Sequence, residues 1–305
     1  MPTNKIMQSI LLDWFTQSGR DLPWRGTRDP YRILVSELML QQTQVSRVLA
    51  KFEEWLLRFP DWKALAAASN AEVILAWEGL GYNRRALMLR DIARHVVEEG
   101  VPQNREEWLA LKGIGPYTSA ALACFSLGER VLPIDTNVRR TLGRMLLGEL
   151  FPGSEIDQTI EKAGKELMAG EGYRDVPQAL FDLANGPCRK MPDCASCPMA
   201  EVCASSQAFL KGDVITPKRT VKKGKERIHR DKPFPDRIYR GRIVQLVRKS
   251  EKGVEGDGLG TLIDPDFTEA LDSDWLEHIL HRLERDRMIS WVDGRIVLHR
   301  EGLTQ

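Results

Sequence analysis

The chain has 305 residues, 42% of them apolar and 29% charged, and a net charge of +1. That balance is ordinary for a globular protein, and no run of about 18 apolar residues offers a membrane span. The length suffices for two or three domains with separate cores, and the net charge by itself announces no nucleic-acid partner.

Residues 1 to about 205 read as nearly all helix, with amphipathic stretches between Gly and Pro breaks such as Asp29-Pro30, Phe59-Pro60, Gly79-Leu80-Gly81, Gly113-Ile114-Gly115-Pro116 and Phe151-Pro152-Gly153. Met1-Pro2-Thr3-Asn4-Lys5 lacks the apolar stretch of a signal peptide and leads into the first helix, so a reducing, cytoplasmic setting is expected. A basic run follows the helical part: Lys218, Arg219, Lys222, Lys223, Lys225, Arg227, Arg230 and Lys232 against Glu226 and Asp231. Such a run reads as a solvated linker or as a contact to a phosphate backbone. Beyond it, helical spacing returns over Arg237–Arg248 and Asp274–Arg287, separated by a Gly-rich turn. Asp293-Gly294 then marks a hairpin turn between two β-prone runs. Helices ending in a hairpin predict a small α+β domain of winged-helix type.

Four of the five cysteines, Cys188, Cys194, Cys197 and Cys203, fall in one short loop. In a reducing compartment this crowding argues for metal rather than disulfides. Four thiolates hold either tetrahedral zinc or a [4Fe–4S] cluster, and spacing alone does not choose between them. Cys124 sits in an apolar helical stretch, as a core thiol would.

Leu111-Lys112-Gly113-Ile114-Gly115-Pro116-Tyr117 lies between two helical stretches. Paired glycines permit a tight turn and close approach to another backbone, and amides opening the next helix can hold a phosphate. Glu37 falls inside an apolar arc formed by Ile33, Leu34, Leu38, Val45, Val48, Leu49 and Phe52. A desolvated Glu keeps its proton to higher pH, the state a general acid needs; a Glu at the edge of the arc would instead pair with an arginine. Asp135 stands just ahead of a helix, where an Asp is equally a favoured N-cap and a candidate catalyst.

The L-x-G-I-G turn followed by Val131-Leu132-Pro133-Ile134-Asp135-Thr136-Asn137 resembles the helix-hairpin-helix/Gly-Pro-Asp DNA glycosylase superfamily, and the likeness runs over residues 8–205. Within it, Asp21-Leu22-Pro23-Trp24-Arg25, Val35-Ser36-Glu37-Leu38-Met39-Leu40-Gln41-Gln42-Thr43-Gln44-Val45 and Trp77-Glu78-Gly79-Leu80-Gly81-Tyr82 are similar to the MutY adenine glycosylase branch. The resemblance implies a mainly α fold, a two-lobed all-helical glycosylase core. Residues 1–25 and 133–205 would form an iron–sulfur lobe and 26–132 a six-helix barrel lobe carrying the helix-hairpin-helix. A basic linker (206–235) and a winged-helix-like domain (236–305) complete the expected organisation. It also implies [4Fe–4S] on Cys188, Cys194, Cys197 and Cys203, with zinc as the lesser alternative.

By the same resemblance, Glu37 protonates a flipped purine and Asp135 stabilises the oxocarbenium-like sugar, with Asn137 bonding inside the site. Tyr117 occupies the position of the Schiff-base lysine of bifunctional relatives, so a monofunctional enzyme is implied. Gln42 and Tyr82 would fill or stack near the gap, Trp24 and Arg25 would border the base pocket, and Lys112, Gly113 and Gly115 would meet phosphate. The implied partner is double-stranded DNA with a mismatched or damaged base pair, acted on by a monomer at the nucleoid, away from membrane; the terminal domain would bind duplex or a protein partner. The chain departs from the branch in its tail, which lacks the length and pattern of a Nudix-like domain, in Asp135-Thr136-Asn137, which replaces Asp-Gly-Asn, and in a first cysteine gap one residue shorter than is common. Removal of adenine opposite 8-oxoguanine or guanine is the leading expectation. Removal of thymine or uracil opposite guanine is the alternative, and a non-enzymatic DNA-binding or redox-sensing protein the second.

Overall fold

The computed structural model describes residues 4–212, 214–217 and 227–300. Lys218, Arg219, Lys222, Lys223 and Lys225 of the basic run lie outside the described residues. The chain divides into two compact units, Met1–Glu37 with Pro102–Thr220, and Leu38–Val101 with Val221–Gln305. The expected segment 26–132 is divided between them, and 236–305 falls within the second unit together with Leu38–Val101.

The first unit begins with α1 (Asn4–Ser18) and the start of α2 (Pro30–Leu40), whose last residues, from Leu38, are counted in the second unit. In the second unit α3 (Val45–Arg58) shows why its sequence is helical: Val48, Phe52 and Trp55 recur at helical spacing and are buried on one face. The ring of Trp55 meets Trp77 and Phe59 edge-on, with centroids 5.3 and 4.9 Å away. Asp61 and Ser69 cap α4 (Trp62–Ala67) and α5 (Asn70–Ala76), the latter with a complete capping box to Glu72. The long α6 (Arg84–Glu99) closes this part.

In the first unit, α7 (Arg105–Ala110) and α8 (Pro116–Leu122) flank the glycine turn. Alpha 8 runs into a single π-helical turn over Ala123–Leu127 that buries Cys124 completely. Then come α9 (Thr136–Leu147), α10 (Asp157–Gly164), α11 (Asp175–Asn185), the cysteine loop, and α12 (Ser206–Leu210).

The C-terminal part of the second unit has α13 (Asp236–Lys249), β1 (Val254–Glu255), α14 (Leu259–Ile263), α15 (Glu269–Arg285), β2 (Ile289–Val292) and β3 (Arg295–Leu298). The strands form an antiparallel sheet in the order β1-β3-β2, with Ile289 opposite Leu298 and Val292 opposite Arg295. Asp293 and Gly294 both take positive φ, as the predicted two-residue turn requires. This part shares one core with the helices before it: Ala71, Ile74 and Leu87 pack with Tyr239, Ile243, Trp275 and Ile279. Asn70 donates to the Arg287 carbonyl at 2.6 Å, and Arg248 to the Ile74 carbonyl at 2.6 Å. The end of the basic run is anchored here too, because the fully buried Asp272 accepts from Lys232 Nζ at 2.7 Å and Arg230 Nη1 at 3.1 Å. Burial alone would raise its carboxyl; Lys232, the Thr268 amide and His229 instead hold it well below the usual range.

Candidate active site

Alpha 2 has no polar face around Glu37. Ile33, Leu34, Val35, Leu38 and Met39 are all at most 2% exposed, and Glu37 itself is 9% exposed. The apolar arc expected as one helix is in fact two, because α2 stops at Leu40 and α3 begins at Val45. The break contains Gln42 in the left-handed region at φ 56°. Glu37 is therefore enclosed more completely than an amphipathic helix would allow.

Tyr117 and Asp135 come to the same place within the first unit. The glycine turn delivers Tyr117: Gly113 has φ 96°, which favours glycine, Ile114 N–H donates to the Leu111 carbonyl at 3.0 Å, and Gly115 caps α8 with Pro116 in its first position. The Tyr117 hydroxyl donates to the Glu37 carboxylate. Asp135 is the N-cap of α9. Its Oδ1 accepts from the Asn137 and Val138 amides at 2.8 and 2.7 Å, and its Oδ2 from Asn137 Nδ2 at 2.8 Å. N-cap and candidate catalyst are thus one residue, and Asn137 is its immediate partner.

Burial raises the Glu37 carboxyl from an ordinary 4.5 to about 7; the negative charge of Asp135 adds to the rise and the Tyr117 hydrogen bond opposes it. The phenol of Tyr117 is pushed well above its ordinary range by burial and by both carboxylates, so it stays a donor. Near neutral pH the trio holds a carboxyl poised between its two forms beside a second carboxyl group that accepts three N–H hydrogen bonds.

The four expected metal ligands also converge. Cys188, Cys194, Cys197 and Cys203 line one small cavity, closed off by Arg144, Leu183, Met199 and Phe209. Among the described residues, no three His, Cys, Asp or Glu side chains close on a point that one metal ion could share. Arg144 is 1% exposed, donates to the Arg189 and Lys190 carbonyls at 2.6 and 2.7 Å, and so fixes the start of the loop. Arg140, one turn earlier, donates to the Cys188 and Ala184 carbonyls at 2.9 Å and to Asn137 Oδ1 at 3.2 Å. The cysteine loop and the Asp135–Asn137 pair are therefore tied through one guanidinium. No role was foreseen for Arg140, although it lies three residues from Asn137 on the same helical face.

The remaining expected residues are distributed unevenly. Trp24 is buried, at 7% exposure. Arg25 grips Asp182 with both Nη atoms at 2.8 and 2.7 Å, and Arg20 shares that carboxylate. Lys112 and Gly113 are exposed, and a Cβ on Gly115 would meet nothing within 4 Å, so this turn presents an open backbone.

In the second unit, Gln42 and Tyr82 are both exposed and both left-handed, at φ 56° and 47°. Such backbone costs of order 1–3 kcal/mol and persists only when its surroundings enforce it. Arg85 supplies the enforcement. This buried side chain donates to the carbonyls of Leu38 at 2.6 Å, Gln41 at 2.5 Å, and Leu80 and Gly81 at 3.0 Å, clamping both loops. Sequence reasoning missed it, though Arg85 falls in helical phase with the buried Leu89, Ile92 and Val96 of α6.

One consequence is testable without any substrate. In carbon-detected NMR of glutamate-labelled protein, one carboxyl should titrate at about 7 and vanish in Glu37→Gln. Tyr117→Phe, which removes the bond that favours the carboxylate, should move it higher still. A Glu37 titrating in the ordinary range would contradict the burial described above.

Residues 35–166 match the family described as HhH-GPD superfamily base excision DNA repair protein. An adenine DNA glycosylase of Mycobacterium tuberculosis is 34% identical over 97% of this chain and 95% of that protein. One of Mycolicibacterium smegmatis is 35% identical over 96% of both. Among solved structures, a thermostable thymine-DNA glycosylase superposes with a TM-score of 0.62 and 28% identity, covering 67% of this chain and 97% of that one. With the hairpin turn, the paired carboxyl groups and a likeness that spans nearly its whole length, the chain belongs to the adenine DNA glycosylases of the HhH-GPD superfamily.

Proposed function

We propose that the protein is a monofunctional glycosylase that hydrolyses the N-glycosidic bond of adenine mispaired with 8-oxoguanine or guanine. The observation that carries this reading is the buried, half-protonated Glu37 bonded to Tyr117 in the field of Asp135. Departure of a base leaves positive charge on the sugar and negative charge on the base, so one acid and one carboxylate serve the reaction, as in glycoside hydrolysis. Glu37, in its neutral form, protonates the extruded purine and, once ionised, orients the water. Asp135 faces the sugar with its charge held by the α9 amides and Asn137. The general acid contributes about 100- to 10,000-fold. Tyr117 offers no amine, so no imine forms and the abasic strand is left intact.

A pyrimidine leaves as a stabilised anion and needs no such acid, which is what favours adenine over the thymine or uracil reading. The Mycobacterium and Mycolicibacterium relatives named adenine DNA glycosylase match over nearly the whole chain, whereas the thymine-DNA glycosylase structure covers two thirds of it. Recognition of the opposite base, a monomeric state and residence at the nucleoid belong to the same proposal. Among the described residues no helix is long and apolar enough to cross a membrane. The order α13-β1-α14-α15-β2-β3 supports the winged-helix reading of the terminal part.

The proposal includes a [4Fe–4S] cluster on Cys188, Cys194, Cys197 and Cys203. Four thiols that line one shared cavity are a donor set that fits such a cluster. When bound, the cluster supplies a cross-link that orders the loop, and Arg140 carries that order to Asn137.

Duplexes bearing A·8-oxoG, A·G, T·G and U·G, incubated with the protein and then with hot alkali, should break only at adenine and only after alkali. Glu37→Gln should slow that release by about 100-fold or more. Release of pyrimidines alone, or a protein–DNA adduct trapped by borohydride, would overturn the assignment. Elemental analysis should find iron and inorganic sulfide in equal amounts; stoichiometric zinc would refute the cluster.

A further inference from the structure

In the second unit, α5 and α6 are joined by a loop over 77–83 with three left-handed positions: Gly79 at φ 86°, Gly81 at 70° and Tyr82 at 47°. Glycine takes this backbone freely, whereas a tyrosine does so only where its surroundings enforce it. The middle of the loop is fastened by helices next to it in the sequence. Arg85 holds the Leu80 and Gly81 carbonyls, and Arg47 donates to the Gly79 carbonyl at 3.2 Å. The ring of Tyr82, 51% exposed, is thereby presented in one place.

The two ends of the loop are closed from far away in the chain. Arg248, in the last turn of α13, lies 174 positions from Ile74 and 165 from Asn83. One nitrogen, Nη2, donates to the Ile74 carbonyl at 2.6 Å and to Asn83 Oδ1 at 2.9 Å. It therefore ties the last turn of α5 to the residue that precedes α6. Burial lowers this guanidinium from the ordinary arginine range, and the carboxylate of Glu78, in the same loop, opposes that fall. Alpha 13 is itself fixed, because Ile243, Val244 and Val247 are buried in the core that holds Ala71, Ile74 and Leu87. With Asn70 bonded to the Arg287 carbonyl at 2.6 Å, the C-terminal part grips α5 at both ends. A bond from a charged donor is about twice as strong as a neutral one, so closing the loop this way restricts it strongly.

We propose that Arg248 is a positioning residue for base extrusion, through which the C-terminal part of the chain holds the loop that presents Tyr82. The proposal rests on the glycosylase reading, in which the target base leaves the stack and a rigid aromatic ring offers a stacking surface. Arg248 acts through Asn83 and Ile74 and touches neither the base nor the sugar. It sets the place of the ring before the substrate arrives, so less ordering entropy is lost at extrusion. The C-terminal part then serves the reaction as a brace of the α5–α6 loop.

Amide exchange of the full chain without DNA reads the loop directly, because the Arg85 amide donates to the Tyr82 carbonyl at 2.9 Å and the Ala86 amide to the Asn83 carbonyl at 3.0 Å. Arg248→Ala and Asn83→Ala should each speed exchange of these amides by about tenfold, as loss of a charge-assisted bond predicts. The double variant should add little to either, since both remove one bond. Extrusion is followed by the fluorescence of 2-aminopurine opposite guanine in a duplex, and its rate should fall about tenfold in the same variants. Arg248→Lys, which keeps the charge but reaches fewer acceptors, should fall between. Ile279→Val, in the same core, should lower the melting temperature yet leave loop exchange and extrusion as they are. Unchanged exchange or unchanged extrusion in Arg248→Ala and Asn83→Ala overturns the proposal, as does equal slowing in Ile279→Val. Adenine release by the unsubstituted chain from an A·G duplex is measured in parallel. Release without any effect of the variants refutes the brace alone; no release, with extrusion slowed in the variants, refutes the catalytic reading and leaves the brace.

Discussion

A carboxyl group buried beside a tyrosine hydroxyl and a second carboxyl is the constraint on which the site depends. Water would hold Glu37 ionised at neutral pH; burial removes that water. Were Tyr117 absent, nothing would stabilise the ionised form; were Asp135 absent, less would oppose it. Its position near neutrality is therefore a balance between one large effect and two smaller ones of opposite sign.

A second arrangement repeats the same logic with a cation. Arg85 is buried without a carboxylate, and its charge is satisfied by carbonyl oxygens at the C-terminal end of α2 and in the Leu80–Gly81 loop. The same side chain terminates the helix that carries Glu37 and holds Gln42 and Tyr82 in backbone conformations they would not adopt alone. Arg140 plays a comparable part between Asn137 and the cysteine loop. Single guanidiniums suit such work because their donors have fixed directions and reach several acceptors at once.

Legibility in the sequence followed the range of the interactions involved. Features set by neighbours within a few residues could be read directly: Asp135 as the cap of α9, the positive-φ turn at Asp293-Gly294, the left-handed Gly113, and the crowding of the four cysteines. Features set by distant partners could not. The break at Gln41–Gln44 depends on Arg85, whose capping of Leu38 spans 47 positions. The bonds of Arg25 to Asp182 span 157 positions. Strand β1 consists of two residues, and only its pairing with Arg295 and Ile296 makes it a strand. The shared core of Ile74 with Tyr239 and Ile279 likewise leaves no mark in either segment alone.

The account stands or falls on Glu37 acting in its neutral form. The most direct measurement is the single-turnover rate of adenine release from an A·G duplex, at saturating protein, as a function of pH. The acid is lost as pH rises through the value set by burial, so the rate should decline by about tenfold per unit above pH about 7. A rate that is flat or increasing from neutral to alkaline pH would show that the reaction does not draw on a proton held by Glu37.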